Sequence, residues 1–267
     1  MKKYISFFRL RFSMGLQYRT AALAGIATQF AWGALEVLAF RAFYETDPNS
    51  FPMSLSATCT YVWLQQAFLA LFAAWLMDNE LLESIINGNI AYELCRPVHI
   101  YDMWFSKSAA NRISRAVLRS VPILLIAAFL PAPYGLSLPA GPGYFLLFLL
   151  TLLLGLAVTV SFCMLVHVLA FFTISPRGLQ MIFVSAADFF SGGIIPLPFF
   201  PPKVQFVLEL FPFASMQNVP LRIYSGSMTE PEIVKAFGLQ IFWLLLLLAG
   251  GRKLCRYGEQ KVTIQGG

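Results

Sequence analysis

The sequence predicts an all-α polytopic membrane protein of six transmembrane helices, with an amphipathic interfacial helix at the N-terminus and short re-entrant helices between spans five and six. Three observations carry this. Long apolar runs follow one another along the 267 residues, each near the 20 or so that a helix needs to cross the hydrocarbon core. The chain is 58% hydrophobic and only 12% charged, against roughly 25% charged in a soluble domain. Its Lys and Arg residues collect in alternate gaps between the runs, as cytoplasmic loops do. A single membrane domain over residues 1–267 is expected, so any energy-supplying or catalytic domain belongs to another chain.

Each element follows from its local pattern. At 100° per residue, Lys2, Ser6, Arg9, Ser13 and Gln17 share one stripe, opposite Phe, Tyr, Ile, Leu and Met. Residues 1–20 are therefore expected to lie in the interface, and Arg9, Arg11 and Arg19 interrupt what would be a signal-peptide core. The first span reads as residues 21–44, closed by the polar turn 45–50, and the second as 55–77. Residues 78–107 carry Asp78, Glu80, Glu83, Glu93, Arg96 and Asp102, which preclude burial in lipid. The third span, 106–130, contains Pro122 and begins with Arg112, Arg115 and Arg119, read as snorkelling interfacial anchors. An uncharged Pro/Gly loop leads to the fourth span, 144–172. The fifth, 179–195, carries Asp188 and breaks at Gly192, Gly193, Pro196, Pro198, Pro201 and Pro202. Composition stays apolar through Phe213, so residues 194–222 are expected to form short helices dipping into the membrane from outside. The sixth span, 236–254, ends in a basic tail.

Orientation follows from charge. With the N-terminus inside, fifteen Lys and Arg fall on the inner side; Arg41, Lys203, Arg222 and Lys235 fall outside. Six spans with both termini in the cytoplasm are expected, in a cell membrane, and the net charge of +6 is absorbed by topology, with no nucleic acid called for.

The chemistry is sparse. Cys59, Cys95, Cys163 and Cys255 stand singly, and His99 and His167 have no carboxylate or Cys at ligand spacing, so structural roles are expected and no metal site. No GxxxxGK[ST] phosphate loop is present. Glu36 and Asp188 are carboxylates inside spans; they either contact substrate, bond a polar neighbour such as Gln65, Gln66 or Ser185, or lie close enough to the outer face to reach headgroups. Residues 81–97 alternate Leu, Ile and Tyr with Glu and Asn, then stop at Pro97. Such a helix either docks in a groove of a soluble partner or lies on its own membrane domain.

This order of elements resembles the membrane subunit of type-2 ABC exporters, specifically the branch of small permeases. An amphipathic N-terminal helix, six spans, a segment around residues 83–97 in the coupling-helix position, the broken stretch 191–198 through Phe211 and Arg222, and the closing residues 262–267 look like that family. The resemblance implies a non-catalytic permease that exports an amphipathic or hydrophobic substrate. ATP and Mg would be bound by a separate ABC ATPase, present in two copies, and a second permease, a related chain rather than an identical one, would complete a dimer in the lipid bilayer. Carried onto these residues, the segment 78–105 would couple to the ATPase through Glu83, Gly88, Glu93, Arg96 and Pro97. Glu36 and Asp188 would line the substrate path, and Gly192, Gly193, Pro196, Pro198 and Phe211 would belong to an outer gate. The competing expectations are an integral-membrane enzyme on lipid or isoprenoid phosphates, with Arg112, Arg115 and Arg119 on the phosphate, and a non-transporting scaffold.

Overall fold

A computed structural model describes residues 2–17, 19–47 and 51–260, and every regular element in them is helical. The helices are α1 (Lys2–Gly15), α2 (Arg19–Thr46), α3 (Leu55–Phe72), α4 (Asn79–Ile86), α5 (Ile90–Leu94), α6 (Ile100–Phe129), α7 (Pro142–Leu169), α8 (Pro176–Phe190), α9 (Pro202–Leu210), α10 (Asn218–Tyr224) and α11 (Glu230–Glu259). The tail 262–267 and part of the turn 45–50 lie outside the described residues.

Local signals set the ends. Ser54 caps α3 by accepting from the Ala57 N–H, and Asp78 caps α4 by accepting from Glu80 and Leu81. Pro142 opens α7, and Thr229 and Glu232 form a reciprocal capping box at the start of α11.

Among the described residues three helices are long and apolar enough to cross a membrane: α2 from Ala22, α7 with the 3-10 turn that follows it, and α11. The α7 helix is the buried centre, packed by α11, α10, α6 and α3. By contrast α2 and α11 bury little and present Trp32, Leu35, Leu38, Phe242 and Leu245 outward, a surface suited to lipid rather than water. The α3 helix is nearly all buried, which lets it carry Thr58, Thr60, Gln65 and Gln66 at positions a lipid-facing helix could not.

Several boundaries differ from the sequence reading. The helix expected as the second span, α3, ends at Phe72, five residues before Met77, and Arg112 donates to the carbonyls of Leu71, Ala73 and Leu76 around that end. The helix expected as the third span, α6, begins at Ile100, so Asp102, expected in a surface segment, already belongs to it. The α8 helix stops at Phe190; its 15 residues make about 22 Å, short of a bilayer core of about 30 Å.

The bundle has two ends. At one, α1, the α4–α5 hairpin, the start of α6, the end of α7 and the end of α11 meet: Lys3 donates to the Pro97 carbonyl, Arg252 pairs with Asp102 at 2.8 Å, and Trp104 stacks with Phe171. At the other, Trp63 donates to the Tyr134 carbonyl, Phe40 and Phe51 pack on Phe199, and Trp243 donates to the Leu210 carbonyl.

Candidate functional site

The α4–α5 hairpin is the most heavily tethered surface feature of the first end. Its turn passes through Gly88, whose φ of +74° is a left-handed conformation that glycine adopts without a Cβ clash. Behind the turn, Leu81, Leu82 and Ile90 are buried, whereas Glu83, Ile86, Asn87, Tyr92, Cys95, Arg96 and Pro97 are exposed. The hairpin therefore has an anchored back and a free tip.

Four separate elements hold that back. From α6, Lys107 lies 2.7 Å from Asp78 Oδ2 and 3.0 Å from Glu80 Oε2, and Trp104 Nε1 donates to Glu93. From α7, His167 Nε2 sits 3.0 Å from the Asp78 carbonyl oxygen while Nδ1 meets the Cys163 carbonyl. From α8, Gln180 donates to Asn79 and Arg177 lies 3.9 Å from Glu83. From α1, Lys3 reaches the Pro97 carbonyl and Tyr4 Oη accepts from the His99 N–H. The sequence-derived residues thus divide: Glu93 faces inward as a tether, Glu83 and Pro97 are exposed but held by Arg177 and Lys3, and Gly88 and Arg96 lie on the exposed side.

Sequence reasoning missed the brace beneath the hairpin. Arg112, read as a snorkelling anchor, is 2% exposed. Its Nη1 donates to the carbonyls of Leu71 and Ala73 and its Nη2 to that of Leu76 and to Cys163 Sγ. The chain from α3 to α4 frees carbonyls inside the protein, and an internal cation satisfies them at less cost than leaving them bare. No residue in 71–76 announces that need, so Arg112 looks like its neighbours Arg115 and Arg119.

A second polar layer lies nearer the other end. Gln66 Nε2 reaches Glu36 Oε1 at 3.4 Å; Tyr61 Oη donates to the Gly192 carbonyl at 3.1 Å and Gln65 Nε2 to that of Gly193 at 2.6 Å. One helix, α3, therefore joins the half-buried Glu36 of α2 to the break that follows α8. Asp188, also half-buried, contacts the backbone of Ala74 instead. The two in-span carboxylates are held by different partners, and of the neighbours anticipated for them Gln66 is the one engaged.

At the break, Gly192 has φ +81°, and a Cβ there would stand 2.7 Å from Tyr61 Oη. Pro196 precedes a 3-10 turn in which Pro198 is buried, and the exposed Phe211 stacks beside Phe213. Below them Arg222, almost fully buried, meets Glu209 at 2.8 Å and the Ser227 carbonyl at 3.0 Å. Among the described residues there is no cluster of His, Cys, Asp and Glu able to hold a metal.

A family model described as ABC-2 family transporter protein matches residues 30–266. The chain belongs to the ABC-2 family. It is therefore a transmembrane permease of an ABC transporter, and membership implies association with an ABC ATPase subunit. The match takes in the hairpin, the α3 polar layer and the broken stretch after α8, and begins beyond α1. No curated protein matches the chain.

Proposed function

We propose that this ABC-2 permease is the non-catalytic membrane half of an exporter that moves an amphipathic or hydrophobic substrate outward, driven by a separate ATPase that grips the α4–α5 hairpin. The observation that carries the reading is the hairpin itself, exposed at its tip and bonded at its back to α1, α6, α7 and α8. A push on the tip is transmitted to four helices at once, because salt bridges and side-chain bonds tie each of them to a segment of about twenty residues.

Six passes with both termini cytoplasmic accord with this arrangement. The α1 helix and the end of α11 meet at the same end of the bundle as the hairpin, which supports an even number of crossings. The basic residues cluster there as well. In this reading α1 lies at the membrane surface, residues 191–222 form the outer gate, and a second permease, a related chain, covers the exposed apolar faces of α2 and α11.

The test is purification of the chain from cells that co-express its ATPase, in mild detergent, with ATP hydrolysis as readout. A stoichiometric ATPase that is lost on replacing residues 86–92 by a Gly/Ser linker supports the proposal. An ATPase that stays bound and stimulated after that replacement sinks the hairpin as the coupling element.

A further inference from the structure

Beside the hairpin, where α1 turns into α2 and both meet α6, lies a cavity of about 610 Å³. Its walls carry unequal charge. On one side Asp78 and Glu80 share Lys107, which leaves a single negative charge in excess. On the other stand Arg11 of α1 and Arg112, Arg115 and Arg119 of α6, the last three at a spacing that puts them on one helix face. Among the described residues none of these four arginines has a carboxylate within ion-pair distance.

Like charges gathered in a half-closed space repel one another, so an unneutralised set calls for a counter-anion. Donors also outnumber acceptors: the Nε atoms of Arg11, Arg112 and Arg119 are buried without an acceptor among the described residues. The guanidinium groups are nonetheless held in place. Arg11 lies over the Phe7 ring at 5.3 Å, and Arg119 rests on α2 at Gly25, where a Cβ would come 2.5 Å from its Cζ. Arg115 is exposed at the mouth. Arg112 commits its terminal nitrogens to the protein and leaves only Nε. Arg11, Arg115 and Arg119, by contrast, are fixed planar donors around one cavity, and a tetrahedral oxyanion can accept paired N–H groups from such a set.

We infer that this cavity binds a phosphate group, as the phosphomonoester or phosphodiester of an anionic headgroup, and that the bound phosphate clamps α1 to α6. The phosphate chemistry stands on the arginines alone. Its delivery by a lipid rests on the reading above that α1 lies at the membrane surface.

The test uses the full chain in nanodiscs of phosphatidylcholine doped with phosphatidic acid, counting retained phosphatidic acid by native mass spectrometry. A parallel arm titrates inorganic phosphate into detergent-purified protein. Relative to the unaltered chain, the double variant R115Q/R119Q is expected to retain about tenfold less phosphatidic acid, while Lys253→Gln, an exposed cation at the end of α11, changes nothing. If R115Q/R119Q lowers the unfolding temperature, R115Q alone serves, since Arg115 is exposed. Arginine-dependent binding of inorganic phosphate without retention of phosphatidic acid overturns the lipid source and keeps the phosphate site. Equal behaviour of R115Q/R119Q and the unaltered chain in both arms overturns the proposal. Neither arm contains the ATPase, so failure of the coupling reading and failure of this one are separate results.

Discussion

Two glycines show how a single residue decides between hinge and lock. Gly192 and Gly88 both adopt positive φ, but a Cβ on Gly192 meets Tyr61 Oη at 2.7 Å whereas nothing lies within 4 Å of one on Gly88. Gly88→Ala is therefore expected to lower stability by about 1 kcal/mol through the backbone alone. Gly192→Ala adds loss of the Tyr61 bond and is expected to lower it by about 2–4 kcal/mol. Thermal unfolding of both variants in one detergent compares them directly. Arg112 is the other decisive residue. Arg112→Lys keeps the charge yet cannot fork across the carbonyls of Leu71, Ala73 and Leu76, so a loss of about 1–3 kcal/mol is expected by the same assay. An Arg112→Lys protein as stable as the parent would mean that water serves those carbonyls equally well.

At the scale of elements, the hairpin separates grip from transmission. Tyr92, 77% exposed, belongs to the tip, and Trp104, buried, belongs to the tether. Tyr92→Ala is expected to reduce co-purification of the ATPase several-fold. Trp104→Phe leaves the tip intact, removes the donor to Glu93, and loosens α5 from α6 by about 1–2 kcal/mol. Its expected signature is an ATPase that still binds but whose hydrolysis no longer responds to the permease. Identical phenotypes in the two variants would deny the division. Much of this element was legible in the sequence: acidic and polar residues among Leu and Ile, bounded by Gly88 and Pro97, mark a short amphipathic segment outside the lipid. Its tethers were not. Lys107, Trp104 and His167 are 11 to 89 residues away from their partners, and each looks locally like ordinary helix content. The α8 helix illustrates the converse. Its apolar run continues to Ile195, so hydropathy extends the span past the glycine break at which the helix ends.

For the whole molecule, the arrangement of the two ends makes topology measurable with thiols already present. Among the described cysteines, Cys95 is exposed on the hairpin, whereas Cys59, Cys163 and Cys255 are buried. A membrane-impermeant maleimide should therefore label the native chain at Cys95 and little else. If the hairpin end is cytoplasmic, labelling occurs in inside-out vesicles and is absent from right-side-out ones. The opposite end supplies the complement: Leu138, in the loop after α6, is 90% exposed, so Leu138→Cys on a Cys95→Ser background should label only from outside. The pair also tests one of the passes, because α6 is the helix between residues 95 and 138 and must cross for them to face opposite sides. Labelling of both from the same side would place α6 in the interface rather than across the membrane. The six-pass reading would then fail, whereas the phosphate chemistry of the cavity, which stands on the arginines alone, would not. Labelling from opposite sides would put the hairpin on the side where ATP is available, and the basic residues around it at the anionic inner surface.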